Sequence, residues 1–366
     1  MGDGMASEAA EPSEEPSEPL DPFGNATAAG PASAAAASLP RPGSRGSGKV
    51  LLVAGTHGNE RNAPWLIEQA APASGTPDAA GRIDAAGLAL VSLIGNPAAH
   101  AAGVRYLDRD LNRSFVPELL ADPGRQEREV ARARALLAAH GAAGADPCLV
   151  AIDLHSTTAA MGNSLVVYGR RPADLALAAA LQASQGLPIY LHEADARQTG
   201  FLVERWPCGL VIEVGPVPQG VLAAAVIRQT RLAVEQTLQL LAAARNGRIL
   251  QPRGLVVHRH RCSLDLPRHP DGSAAAVVHP LRQARDWQPL RAGDPLFLSP
   301  DGTTIPYEPP AGLDRGTVWP VFINEAAYGE KGIAMSLTQR EVWPVEPPWA
   351  EALQALAGGL RSAVAA

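Results

Sequence analysis

Four short and almost continuous apolar runs, residues 50–54, 88–94, 148–154 and 210–214, each break off into a polar or glycine-rich segment. No other feature constrains the fold as much. Runs of this length suit strands buried on both faces. Between them lie stretches of helical texture. Residues 124–139 follow an Asp122-Pro123 start signal and are rich in Arg, Glu, Ala and Leu, while residues 173–185 and 219–244 are rich in Ala and Leu, the latter ending at Asn246-Gly247. Strands that alternate with helices predict an α/β fold with a mostly parallel or mixed sheet and helices on both faces. In such sheets ligands sit beyond the carboxyl ends of the strands. The polar segments after the runs are therefore where chemistry is expected.

From about residue 249 the helical texture stops. Residues 255–258, 274–278, 295–298, 303–306 and 318–323 are short segments punctuated by Pro, Gly and Asp. They predict a smaller β-rich C-terminal domain over residues 249–346, following a catalytic domain over 49–248. Residues 347–366 read as a helix or tail, with the helix over 349–364 weakened by Gly358-Gly359. Residues 1–48, rich in Ala, Pro, Ser, Gly and Glu without apolar periodicity, read as a disordered tail.

The 366 residues, 46% of them hydrophobic, suffice for a globular core. A formal charge of -6 without a basic cluster argues against a nucleic-acid partner. No segment has the length and apolarity of a membrane span, and the acidic N-terminus lacks the features of a secretory signal, so a cytoplasmic protein without a membrane partner is expected. Cys148, Cys208 and Cys262 lack paired spacing and read as reduced core or near-core residues.

His57 and Glu60 follow the first run in Gly-Thr-His57-Gly-Asn-Glu60, three residues apart, so a tight loop or helical turn can aim both at one point. His155 ends the third run, and a period-two strand places Asp153 on the same face. Catalytic zinc takes three protein ligands, often two histidines and a carboxylate, and leaves a fourth position for water. His57, Glu60 and His155 meet that count. Asp153 is a candidate to orient His155, or a plain carboxylate at the core edge. The plainer readings of the ligand set are a polar loop with a capping glutamate and a hydrogen-bonded core histidine.

Glu213 lies among apolar strand residues, where a carboxylate is costly unless it is paired or functional. It is either half of a buried salt bridge or the general base of a hydrolytic step. The block Arg105-Tyr-Leu-Asp108-Arg-Asp110-Leu-Asn112-Arg113 follows the second run. The planar fork of arginine binds carboxylates at two points, and an asparagine amide adds a donor, which suits a small anionic substrate. Arg105 is also a cation available to a developing oxyanion. Asp108 and Asp110 orient these groups or only neutralise them. Tyr328 is either a hydroxyl donor to substrate or an interface aromatic. Together these residues supply the parts of an amidohydrolase with one zinc per chain. The competing class is a non-catalytic zinc-binding protein, against which the presence of Glu213 and Arg105 weighs.

The motifs resemble those of the aspartoacylase and succinylglutamate desuccinylase group, whose core is that of the zinc carboxypeptidases, and the aspartoacylases most closely. The resemblance runs from about residue 49 to 346 and includes Asp153-Leu-His155-Ser-Thr-Thr, Ile-Glu213-Val-Gly-Pro-Val-Pro-Gln-Gly-Val, Gly-Asp-Pro-Leu-Phe-Leu and Val-Phe-Ile-Asn-Glu-Ala-Ala-Tyr328. It implies that His57, Glu60 and His155 bind Zn2+, that Glu213 is the general base and contacts substrate, and that Arg105 polarises the scissile carbonyl. Asn112, Arg113 and Tyr328 would hold the substrate. The implied reaction is hydrolysis of an N-acyl-L-aspartate, such as N-acetyl-L-aspartate, by metal-activated water, and the implied assembly is a homo-oligomer. Another N-acyl amino acid or a succinylglutamate-type substrate is the alternative. Two positions depart from the animal aspartoacylase pattern: Phe201 stands where an ungapped match puts an arginine, and Gly332 stands where a second lysine is expected. Both missing cations hold the second carboxylate of the substrate. Arg197 or Arg205 is a replacement if the register shifts.

Overall fold

The computed structural model describes residues 1, 48–70, 83–193, 198–313 and 315–363. The expected N-terminal tail, apart from its two end residues, lies outside the described residues. The first half of the chain contributes β1 (Lys49–Ala54), α1 (Asn62–Ala70), β2 (Leu90–Ile94), α2 (Pro97–Ala102), α3 (Pro117–Ala121), α4 (Arg128–His140) and β3 (Cys148–Ser156). Then come β4 (Gly162–Tyr168), α5 (Pro172–Gln185), β5 (Ile189–His192), β6 (Cys208–Gly215) and α6 (Ala224–Arg245). The C-terminal part supplies β7 (Gly254–Asp265), β8 (Val277–Val278), β9 (Pro295–Leu298), β10 (Thr304–Pro306), β11 (Trp319–Val321), β12 (Ile333–Pro344) and α7 (Pro347–Ala357). No helix among the described residues is long and apolar enough to cross a membrane.

The four apolar runs become β1, β2, β3 and β6, which lie side by side and parallel in a nine-stranded sheet ordered β11-β12-β7-β5-β4-β6-β3-β1-β2. The sheet is mixed because β4 pairs antiparallel to β6, and β12 pairs antiparallel to β7. Side-chain alternation along each strand divides the core between two faces. Val50, Leu52 and Ala54 pack with α1, α5, α6 and α7 on one face, whereas Leu51 and Val53 join α4, Phe115, Phe201 and Trp206 on the other. The β-rich C-terminal part has its own apolar cluster and a three-stranded sheet, β10-β9-β8. Its longest strands, β7 and β12, extend the main sheet.

Helix boundaries differ from the sequence expectation where local turns compete. α4 begins at Arg128 rather than at residue 124, because Asp122 accepts from the Gly124 amide at 2.8 Å and closes a turn. The Arg128 amide is instead taken by Asp108, at 2.8 Å. α6 begins at Ala224 rather than at 219: Gly220 has φ +79°, and Asn62 bonds both the Val221 carbonyl at 3.0 Å and the Ala223 amide at 2.8 Å. The last helix stops at Ala357, before the expected 364, and the chain then makes bridges from Leu360 to Gly48 and from Ser362 to Leu88.

Candidate functional site

Each chemical group stands on the face of the sheet that carries α4, at the carboxyl ends of the parallel strands. Along β3, Val150, Ile152 and Leu154 fill the opposite core, so alternation turns Asp153 and His155 to this face. The β3–β6 register sets His155 directly beside Glu213. β1 is followed by Gly55 at φ +64°, and the turn after it carries His57 and Glu60. Gly58 lets this turn pack against α2, since a Cβ there would lie 2.1 Å from the Ala99 carbonyl carbon.

His57 Nδ1, His155 Nδ1 and the Glu60 carboxylate converge, all within 4.8 Å of one another. The two Nδ1 atoms are 3.2 Å apart. Glu60 Oε1 lies 2.6 Å from His57 Nδ1, and Oε2 lies 3.1 Å from His155 Nδ1 while accepting from the Ser156 amide at 2.9 Å. The outward nitrogens face carboxylates. His155 Nε2 is 2.8 Å from Asp153, whose other oxygen accepts from Thr56 Oγ1 at 2.6 Å, and His57 Nε2 is 3.1 Å from Asp110. The Asp153 carboxylate behind His155 Nε2 holds the proton there and leaves the Nδ1 lone pair of that ring for a metal. His57 Nε2 lies between Asp110 and Arg105 Nη2, the latter 2.8 Å away, so Asp110 and Arg105 together set its tautomer, and two imidazoles with one carboxylate make a donor set that fits zinc. Burial opposes ionisation of Glu60, but His57 and His155 together hold its carboxyl below the ordinary range. Burial opposes protonation of His155, yet Asp153 and Glu60 raise it well above its usual value. Burial pushes the Glu213 carboxyl well up, opposed by His155 and reinforced by Glu60 and Glu325.

Arg105 reaches the same corner. Its Nη2 donates to Asp110 Oδ2 at 3.0 Å, and its buried Nε has no hydrogen-bond partner among the described residues. Asp110 thus orients both His57 and Arg105, whereas Asp108 serves α4. Asn112 Oδ1 accepts from the Leu202 amide at 2.8 Å, which leaves its amide nitrogen as the donor. Arg113 bonds Gln198 Oε1 at 3.0 Å and lies over the Phe201 ring with its guanidinium carbon 4.2 Å from the centroid. Its buried Nε is also without a partner among the described residues. Tyr328 comes from the helical turn Ala326–Lys331; burial raises its phenol to about 12, so the hydroxyl stays a donor. All eight residues singled out from the sequence (His57, Glu60, Arg105, Asn112, Arg113, His155, Glu213 and Tyr328) line one cleft. Of the two substitute cations, Arg205 is exposed and does not line the cleft, and Arg197 lies outside the described residues.

Three positioning groups escaped the sequence reading. Buried Glu129 accepts from the amides of Leu107, Asp108 and Arg109 at 2.8, 3.1 and 3.2 Å, and from Asn96 Nδ2 at 3.0 Å, shaping the loop between Arg105 and Arg113. Asp286 accepts from the amides of Ala160 and Ile323 at 3.2 and 3.0 Å. Glu325 takes the amides of Thr158 and Ala159 at 2.8 and 3.0 Å, the hydroxyls of Thr157 and Thr158, and the Ala327 amide at 3.1 Å. One carboxylate therefore ties the loop after His155 to the turn that carries Tyr328. The only signal for it was its place three residues before that tyrosine. Glu325→Ala is expected to lower stability by about 2 kcal/mol or more, because several buried donors lose a charged acceptor, and to cut kcat/KM about tenfold with zinc retained. Calorimetry and kinetics on metal-loaded protein test this; unchanged kcat/KM would show that the latch does not position Tyr328.

The sequence matches the succinylglutamate desuccinylase/aspartoacylase catalytic domain over residues 47–241 and the AstE/AspA barrel-sandwich hybrid domain over residues 253–340. It is 61% identical over 309 residues to a probable aspartoacylase of Parasynechococcus marenigrum strain WH8102, covering 84% of this chain and 98% of the relative. It is 58% identical over 308 residues to a probable aspartoacylase of Prochlorococcus marinus strain MIT 9313, covering 84% and 98%. Among solved structures, murine aminoacylase 3 superposes with a TM-score of 0.71 at 33% identity, covering 83% of this chain and 98% of that one. These matches span the catalytic sheet and the β-rich part alike, and the chain belongs to the succinylglutamate desuccinylase/aspartoacylase family.

Proposed function

We propose that the protein is a zinc-dependent amidohydrolase that removes the acyl group from an N-acyl-L-amino acid, releasing a carboxylate and the free amino acid. The observation that carries this reading is the convergence of His57 Nδ1, Glu60 and His155 Nδ1 beside Glu213, which is in register with His155. Zinc held by these three residues supplies Lewis acidity, which polarises a carbonyl and acidifies water. Glu213 takes the proton of the attacking water and passes it to the nitrogen of the leaving amine, so no net proton is consumed at the carboxylate. Arg105, fixed by Asp110, faces the oxygen on which charge develops. Arg113 and Asn112 bind the α-carboxylate, and the Tyr328 hydroxyl donates to the substrate. Buried guanidinium nitrogens without partners support this assignment, because they are donors waiting for an acceptor.

Two readings of the amino-acid half stand. The names of the curated relatives favour aspartate, as in N-acetyl-L-aspartate. Phe201 in the cleft favours a neutral amino acid. The reading as an N-acyl amino acid hydrolase is tested with zinc-loaded protein on N-acetyl derivatives of acidic, aliphatic and aromatic amino acids and on N-succinyl-glutamate. Arg113→Ala is expected to lower kcat/KM on every accepted substrate by about a hundredfold, since all share the α-carboxylate. Zinc binding without turnover of any compound would instead favour a non-catalytic zinc protein.

A further inference from the structure

We infer that His260, Tyr190 and Ser336 form a directional chain of hydrogen bonds that turns the proton of the Tyr328 hydroxyl toward the substrate, which makes all three positioning residues for the reaction. This rests on the N-acyl amino acid reading and on the assignment of Tyr328 as a donor to substrate. The three side chains come from adjacent strands, since β5, β7 and β12 are neighbours in the main sheet. Ile189, Leu191 and Val257 enter the core on the opposite face, so alternation brings Tyr190 and His260 to the face that carries the cleft. All three are buried, and Tyr190 lines the cleft together with Tyr328. Buried polar groups of this kind are costly unless they are hydrogen-bonded.

Their contacts follow one line. Tyr190 Oη lies 2.9 Å from His260 Nδ1 and donates to Ser336 Oγ at 3.5 Å. Burial pushes the Tyr328 phenol up to about 12, while a hydrogen bond from the Ser336 side chain acts against that rise. Each hydroxyl has one proton to give. With the Tyr190 proton on Ser336, the contact to His260 is made by a proton on Nδ1, and Ser336 is left to donate to Tyr328. The Tyr328 proton then points away from Ser336 and is available to the substrate. In the reverse polarity Tyr190 donates to a bare Nδ1, Ser336 donates to Tyr190, and the Tyr328 proton is drawn back onto Ser336. A phenol lone pair would then face the substrate, repelling the oxygen that the hydroxyl is there to bind. The protonated Nδ1 is the state that fits the site. No proton travels along the chain during turnover; it holds one orientation, in which each bond polarises the next.

The test compares kcat/KM of zinc-loaded full-length protein carrying Tyr190→Phe, Ser336→Ala or His260→Phe, each made in the wild type and in Tyr328→Phe, on the preferred N-acetyl amino acid. Each substitution is expected to lower kcat/KM about tenfold in the wild type and by less than about twofold in Tyr328→Phe, because it acts through a hydroxyl that is then absent. Equal losses in both backgrounds, or no loss in either, overturn the chain and leave the amidohydrolase intact. Nitrogen-15 NMR of the His260 imidazole in the wild type reads the polarity without turnover and decides alone if a variant does not fold. A proton on Nδ1 is expected, and a bare Nδ1 overturns the inference. Absence of all turnover in the wild type overturns the amidohydrolase reading and this inference with it.

Discussion

Glu213→Gln is expected to retain zinc and to lose turnover by about a hundredfold or more. Glu213 is in register with His155 on the neighbouring strand, yet it is not one of the three groups whose donor atoms converge. The amide keeps the size of the side chain and its place among Val211, Ile212 and Val214, so the fold has no reason to respond. It cannot take a proton from water or return one to the departing nitrogen. Burial raises the carboxyl well above its usual value, against the influence of His155, which makes the ionised group a stronger base than an exposed glutamate. Metal analysis beside steady-state kinetics separates the two effects. Near-normal turnover with full zinc would remove Glu213 from the reaction.

His155→Ala is expected to lose both the metal and the activity, and wild-type protein is expected to hold about one zinc per chain. The substitution removes one of three donors and leaves the Asp153 carboxylate, 0% exposed, without the imidazole that lies 2.8 Å from it. Two donors, His57 and Glu60, remain, and the orphaned buried charge costs stability as well. Metal content after dialysis and a melting curve read the two consequences. Exhaustive chelation of wild-type protein should abolish turnover, and added zinc should restore it. Persistent activity in demonstrably metal-free protein would refute the assignment of this centre to the reaction.

These expectations draw on features that differ in how far the amino-acid order announces them. The strands at the middle of the sheet are legible because β1, β3 and β6 are buried on both faces and are therefore apolar almost without interruption. A polar residue inside or at the end of such a run is conspicuous, and His155 and Glu213 were found in this way. β4 and β5 were not singled out: β5 has only four residues, and β4 opens on the polar Gly162-Asn163-Ser164, which leaves a short apolar stretch in each. The starts of α4 and α6 were misplaced because distant side chains, Asp108 and Asn62, supply hydrogen bonds that propensity cannot foresee.

By itself, then, the sequence determined the α/β alternation, the strands that lead to the converging groups and the identity of those groups, because burial periodicity and the cost of burying charge are local properties of residue order. Only the tertiary structure decided which oxygen faces which nitrogen. It assigned Asp110 to His57 and Arg105, Asp108 to a helix amide, and Glu325 to the loop after His155, choices among carboxylates that look alike in sequence. It also set Phe201 against Tyr168 and beneath Arg113, joining residues from three separate segments. Such contacts depend on strand register and on the packing of loops from distant parts of the chain, where a shift of one residue would turn each side chain to the opposite face.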